Sequence, residues 1–292
     1  MRLFLLLALT MTAFAANSVL NRMALAGGSI DAMSFGSIRL IAGAAMLAAL
    51  CVWLRGGLRL RGPGRATGVA ALLVYMYGFS AAYTVLDAGL GALILFGVVQ
   101  ITMFAGALLG GEVMPARRWT GAALAFGGLA WMLWPGAGPQ VSPAHGLSMA
   151  AAGLGWGIYS LAGRREGDAL LATGANFVLA APAGVVIGLA LLAGGATPRP
   201  GAEGVMLAII AGAVTSGLGY ALWYRVLPSL PASVAAVAQL TVPVIAVVGG
   251  VLLLGEQPDP ETLLAGALVL GGVALSVLPR RAQRAGVDDG GA

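Results

Sequence analysis

Along the whole chain, apolar runs of roughly 20 residues are broken by short clusters of Gly, Pro, Asp and Arg. A helix that crosses about 30 Å of hydrocarbon needs about 20 residues. The runs predict ten such helices, at roughly 3–25, 32–54, 67–86, 88–110, 116–134, 145–163, 168–193, 204–226, 232–254 and 261–278. The third and fourth meet tightly at Asp87, and a single helix over both would be about twice the length a bilayer needs. The expected fold is an all-α polytopic membrane protein of ten transmembrane helices. The N-terminal stretch MRLFLLLALTMTAFAANS also has the form of a cleaved signal peptide. Its apolar run continues to about Leu25, and the internal repeat described below favours a helix that stays.

Composition agrees with the pattern. Hydrophobic residues make up 59% of the 292 positions and charged residues 9%, against about 25% charged in a soluble domain. The bilayer is therefore the solvent for most of the outer surface. The single cysteine, Cys51, excludes an internal disulfide, and one histidine, His145, leaves no metal-ligand set. No metal or cofactor is expected. All 16 basic residues are arginine, and the net charge is +5. Such a balance also suits a nucleic-acid partner, but these arginines sit singly or in small groups between apolar runs. With the N-terminus in the cytoplasm, the inside segments hold Arg2, Arg55, Arg59, Arg61, Arg65, Arg117, Arg118, Arg164, Arg165, Arg225, Arg280, Arg281 and Arg284. The outside holds Arg199, with Arg22 near a helix end. This bias follows the positive-inside rule. It predicts a bacterial-type inner membrane protein with both termini cytoplasmic.

A self-match divides the chain. ALLGGEVMPARRWTGAALAFGGLAWML in the first half aligns with VLLLGEQPDPETLLAGALVLGGVALSVL in the second, so Gly111-Glu112 lies opposite Gly255-Glu256. AFAANSVLNR matches GWGIYSLAGR, and Asp31 and Asp168 each open the next helix. Two five-helix repeats follow, 1–140 and 141–280, with a cytoplasmic tail over 281–292 expected to be disordered. Five is odd, so the second repeat is inverted. The connector MPARRW, expected inside, has lost its arginines in PDPETL, expected outside. Inverted repeats are a recurring build of secondary transporters, with the solute site near the midplane.

In the paired GE with its following Gly-rich helices, in Arg39, and in YALWYRVLPSLPASVAAVAQLTVPVIAVVGGVLLLGE, the chain resembles the drug/metabolite transporter superfamily. The likeness covers nearly the whole chain and lies in the ten-helix EamA-type branch. It implies export or exchange of small metabolites, often amino acids, through a cavity lined by the first four helices of each half. The fifth and tenth helices are then set to the side. The aromatic content is similar to that of the aromatic amino-acid exporters of the superfamily.

Charge within a span is costly and marks candidates for function. Arg39 is the one such residue, read either as an anion contact or as a structural arginine. Glu112 and Glu256 are read as supports of the turn in each repeat, and Arg22 and Arg164 as caps of their own helices. No Asp, Glu or His lies near the middle of a run. That absence favours facilitated diffusion or exchange over proton coupling. The neutral candidates for the cavity are Asn17, Gln100, Asn176 and Gln239, large amides with several donors and acceptors. The aromatic candidates are Tyr75, Phe79 and Tyr83, spaced four apart on one helix face, with Trp156, Tyr159, Tyr220 and Trp223. An interface belt is an alternative for Tyr83 near its helix end. Pro182 and Pro243 are candidate kinks. No phosphate loop or nucleophile–His–acid set is present, so no enzyme is expected. The expected function is a secondary transporter exporting small metabolites, amino acids first, by alternating access; the alternative is a multidrug or nucleotide-sugar carrier. The expected partners are a small solute and the lipid bilayer, without nucleic acid, the chain acting as a monomer or weak homodimer.

Overall fold

The computed structural model describes residues 2–111, 115–133, 141–163, 167–194, 200–226 and 238–277. Among these residues the chain is helical and has no strand. The helices are α1 (Arg2–Ala26), α2 (Ala32–Arg55), α3 (Arg65–Ala82), α4 (Ala88–Leu109), α5 (Ala116–Leu133), α6 (Pro143–Gly163) and α7 (Ala169–Gly194). α8 runs without a break through Ala202–Ile210, a π-helical stretch Ala211–Leu218, and Gly219–Val226. α9 is Thr241–Gly249 and continues as a π-helical turn, Gly250–Leu254; α10 is Pro260–Val277. The expected runs and these helices correspond one to one. The start of the ninth run, Glu112, Arg164, Arg165, Arg199 and the 281–292 tail lie outside the described residues. Among the described residues, α1, α2, α4, α7 and α8 are each long and apolar enough to cross a membrane.

Local chemistry explains the boundaries. Asp31 accepts from the N–H groups of Met33 and Ser34 at 3.0 and 2.9 Å and starts α2. Asp168 does the same for α7 through Leu170 and Leu171, at 3.0 and 3.1 Å. A side-chain acceptor at this position satisfies a helix N–H that lacks an intrahelical partner. Gly56 ends α2 and Gly255 ends α9, at φ 72° and 67°. A residue with a Cβ is strained there.

The helices pair in a symmetric pattern. α2 packs on α7, and α5 on α10. α3 packs on α6 while α1 packs on α8, and α4 packs on α6 while α1 packs on α9. Exchanging each helix with the one five places later leaves this set of contacts unchanged. The long apolar side chains that face outward, among them Phe4, Trp53, Phe126, Val186 and Leu252, are the lipid surface. The polar side chains Asn17, Asn21, Arg39, Ser80, Asn176 and Ser216 are buried among the helices.

Candidate functional site

Five helices from both halves meet at a small internal cavity. It is lined by Phe14, Asn17 and Ser18 of α1, Tyr75 and Phe79 of α3, Leu95 and Phe96 of α4, Trp156 of α6, and Tyr220 of α8. Its volume of about 20 Å³ holds one water and no solute of amino-acid size. The protein is therefore closed around it. The rings form one connected cluster. Trp156 lies 4.9 Å from both Tyr75 and Tyr220, and it stacks on Tyr159 at 5.6 Å and 24°. Phe14 meets Trp156, Tyr220 and Trp223 edge to face at 6.3, 5.8 and 6.0 Å. α6 comes this close to α3 because it has glycine there: a Cβ on Gly155 would stand 2.7 Å from the Ala71 carbonyl.

Behind Tyr75 and Phe79 lies Arg39, which is fully buried. Its guanidinium carbon is 5.3 Å from the Tyr75 ring centre and 4.9 Å from that of Phe79. Nε donates to Ser216 Oγ at 3.2 Å, and Nη2 donates to the Tyr75 hydroxyl at 2.9 Å. Among the described residues, Nη1 has no hydrogen-bond partner. None of the ion pairs among the described residues involves Arg39. A cation is thus held in the protein interior by two neutral acceptors and two ring faces. The π-helical stretch of α8 supplies half of this arrangement. There Ser216 reaches Arg39, while the adjacent Thr215 bonds Asn17 Oδ1 of α1. π-helical turns are rare and recur at functional sites. Gly212, in the same stretch, lies directly against the Arg39 carbonyl, where a Cβ has no room.

Contacts between the two halves lie beyond the cavity toward each end of α3, whose 18 residues span about 27 Å. At the Tyr83 end, Arg22 Nη1 donates to the carbonyls of Tyr83 and Thr84 at 3.3 and 3.2 Å. Its Nη2 and Nε approach Asp87 and Glu256, each at 3.4 Å. The Ala88 N–H at the start of α4 donates to both Glu256 oxygens at 3.0 Å. Glu256 of the second half thus occupies the N-terminus of a first-half helix, while Asp87, in the capping position, makes no such bond. Burial pushes the Glu256 carboxyl above its usual range, against the pull of the Ala88 N–H and Arg22. At the Arg65 end, Arg55 bonds Asp168, and Arg65 Nη1 donates to Asn176 Oδ1 and the Ala172 carbonyl at 3.0 and 2.9 Å. Burial raises the Asp168 carboxyl, but the Arg55 hydrogen bond and the Leu171 and Leu170 N–H groups outweigh it and leave the carboxyl below its usual range.

The structure brings together Asn17, Arg39, Tyr75, Phe79, Trp156, Tyr159, Tyr220 and Trp223 in or beside the ring cluster. Tyr83 closes its end: it is fully buried, packs on Phe79 at 4.7 Å, and donates to the Ala88 carbonyl at 3.1 Å. A membrane-interface belt does not describe it. Asn176 faces away from the cavity and holds Arg65. Gln100 and Gln239 are half-buried and line no part of it. Pro182 sits within an unbroken α7 on its exposed side. Pro243 follows a break in the helix: residues 238–239 are helical, Leu240 is in a turn, and Thr241–Gly249 is helical again, and a proline lacks the N–H that would bond the residue four before it. Arg22 is not a cap of its own helix; its bonds go to the end of α3. Sequence reading did not single out Phe14, Ser18 and Asn21. Asn21 takes the Ser80 hydroxyl at 3.1 Å and bonds the Asn17 carbonyl at 2.8 Å. The available signal was the four-residue spacing of Phe14–Ser18 and Asn17–Asn21 along one apolar helix.

Residues 146–278 match the model of the EamA-like transporter family. An uncharacterised protein of Pseudomonas aeruginosa is 46% identical over 288 residues, which cover 98% of each chain. One crystal structure aligns with a TM-score of 0.64 at 21% identity, over 96% of this chain and 99% of that one. That likeness is one of fold.

Proposed function

Because the chain belongs to the EamA-like transporter family, and so is a membrane transporter of the drug/metabolite type, we propose that it is a secondary carrier that exports small metabolites bearing a carboxylate on an aromatic or apolar body. Aromatic amino acids belong to that class. The observation that carries the reading is the ring-lined cavity between the halves, with a buried arginine behind it. The rings suit a flat apolar body, and the guanidinium suits a carboxylate.

The mode of transport is alternating access. Residues 1–140 and 141–280 act as the two inverted repeats, which the symmetric helix pairing supports. The Arg22–Asp87–Glu256 cluster and the Arg55–Asp168 pair each join one repeat to the other, at opposite ends of α3. Rocking the repeats breaks one set at a time. With the arginine-rich loops in the cytoplasm of a bacterial-type inner membrane, the Glu256 end faces outward. No carboxylate borders this cavity, so it offers a lipophilic cation no counter-charge.

Counterflow in proteoliposomes tests the proposal. A panel of radiolabelled aromatic carboxylates and amino acids, lipophilic cations and nucleotide sugars is offered to the purified protein. Saturable flux is expected for aromatic carboxylates or amino acids, reduced at least tenfold by Trp156→Ala. Saturation by the cations or sugars alone would overturn it.

A further inference from the structure

This inference rests on the carboxylate reading of the same cavity and concerns the net charge of the solute. All 11 acidic residues of the chain lie outside its apolar stretches or within the first residues of a helix. The one histidine, His145, is at the start of α6, bonded to Ser142 at 2.8 Å. The groups that face the guanidinium of Arg39 are Ser216, the Tyr75 hydroxyl, and the Tyr75 and Phe79 rings. All are neutral. The cavity wall itself holds no charged side chain. Among the described residues, the cavity wall and the surroundings of Arg39 therefore hold one positive charge, one unused donor group at Nη1, and nothing negative.

From this imbalance we infer that the site is built for a net anion, an aromatic or apolar carboxylate of charge −1, in preference to the zwitterionic amino acid of the same shape. Admitting any solute to a cavity of about 20 Å³ requires the rings of Tyr75, Phe79 and Trp156 to separate. Two of those rings cover Arg39. A carboxylate entering there takes the place of the ring faces and gains the Nη1 donors. It neutralises a buried charge, which is worth most where water is excluded. The ammonium of an amino acid finds no carboxylate in exchange. It loses its hydration to ring faces and to neutral hydroxyls, among them that of Tyr220, which has no partner among the described residues; a neutral oxygen does not balance a buried charge, which is costly.

The net charge of the solute also sets the energy coupling. A carrier cycle returns every protein charge to its starting place, so one negative charge crosses per anion exported. An inside-negative membrane drives that charge outward. At 100 mV the bias is about fiftyfold in concentration, the equivalent of about 2.3 kcal/mol per charge. Export needs no coupling ion, which accounts for spans that lack a proton-carrying group.

Counterflow of phenyllactate (anion), phenylalanine (zwitterion), phenethylamine (cation) and phenyllactamide (neutral) reads the preference directly. In the full-length protein, phenyllactate is expected to compete at least tenfold better than phenylalanine. Its flux should follow an imposed potassium-diffusion potential, while the flux of phenylalanine should not. Arg39→Gln is expected to lose the advantage of phenyllactate and to keep saturable competition by phenyllactamide, which shows that the variant is folded. Phenylalanine competing as well as phenyllactate overturns the inference alone, as does Arg39→Gln with its anion preference intact. No saturable binding or flux of any of the four overturns it together with the carboxylate reading.

Discussion

Glu256 offers the sharpest test of how the two halves hold each other. Its carboxylate takes the Ala88 N–H at the start of α4 and lies 3.4 Å from Arg22. Two descriptions of this corner make different predictions. In one, charge attraction is the latch. In the other, the latch is the hydrogen bond to an otherwise orphaned helix N–H, and the charge is a burden. The direction in which the carboxyl is shifted favours the second. Burial raises it, and neither the Ala88 N–H nor Arg22 fully reverses the effect, while Asp87 adds to it. The closed corner thus binds a proton more tightly than an open corner whose carboxyl is in water. Closure is favoured at low pH and weakens as pH rises from the usual carboxylate range through the raised value.

Two substitutions separate the descriptions. Glu256→Ala leaves the buried Ala88 N–H without an acceptor, at a cost of about 1–3 kcal/mol. The closed state should lose roughly 5- to 150-fold in population. Glu256→Gln keeps a carbonyl for that N–H and removes the buried charge, so closure is unchanged or firmer. The assay is the rate at which a bulky thiol reagent modifies Ser18→Cys, in the cavity wall, in purified protein. Cys51 is the only native cysteine, so Cys51→Ser gives a clean background. Faster labelling in Glu256→Ala alone is expected, with wild-type labelling slowed at acid pH. Equal acceleration in both variants would refute the argument from burial and make the charge the latch.

Other outcomes follow from the same contacts. Tyr75→Phe removes the acceptor of Arg39 Nη2; it should lower stability by about 1–3 kcal/mol, seen as a lower melting temperature, and should weaken carboxylate flux. Gly212→Ala forces a Cβ into the Arg39 carbonyl, separates α2 from α8, and should cost about 1–3 kcal/mol in detergent. Asp168→Ala removes the acceptor that starts α7 and should cost about 1 kcal/mol. The carboxyl of Asp168 lies below its usual range. Its stabilising contribution is therefore present above that range and lost as pH falls through the lowered value, so acid should narrow the gap between Asp168→Ala and wild type.

The helices were legible because their cause is local. An apolar run of bilayer length has few alternatives to a helix, and Asp31 and Asp168 announce the starts of α2 and α7 with an acceptor that works within three residues. Tyr75 and Phe79 were legible as one face for the same reason: four residues on a helix return to nearly the same side. The partners of that face were not. Asn176 has no nearby charge in its own helix, yet Arg65 reaches it across 111 positions of sequence. Arg22 ends an apolar run as a cap would, but its donors go to carbonyls 61 and 62 positions away. No period in the sequence encodes such distances. The π-helical stretch of α8 was hidden as well, since a change of helical pitch leaves composition untouched.

Arg39 and Glu256 differ in how far the fold uses their hydrogen-bonding groups. Both are charges in an apolar chain, and position alone ranked Arg39 above Glu256 as a functional candidate. The contacts explain the ranking. Glu256 has a helix N-terminus, an arginine and a turn glycine around it, so its hydrogen-bonding capacity is used inside the protein. Arg39 is more deeply buried and less fully used: among the described residues, Nη1 has no hydrogen-bond partner. A buried donor that the fold leaves open is costly to stability. On the proposed reading, a solute able to accept that hydrogen bond offsets the cost when it binds, which makes the deficit a source of selectivity. Phenyllactate should therefore raise the melting temperature of the protein on binding, and Arg39→Gln should erase most of that rise while leaving the effect of phenyllactamide in place. An equal rise with both ligands in the wild type would show that the rings, and not the open donor, select the solute.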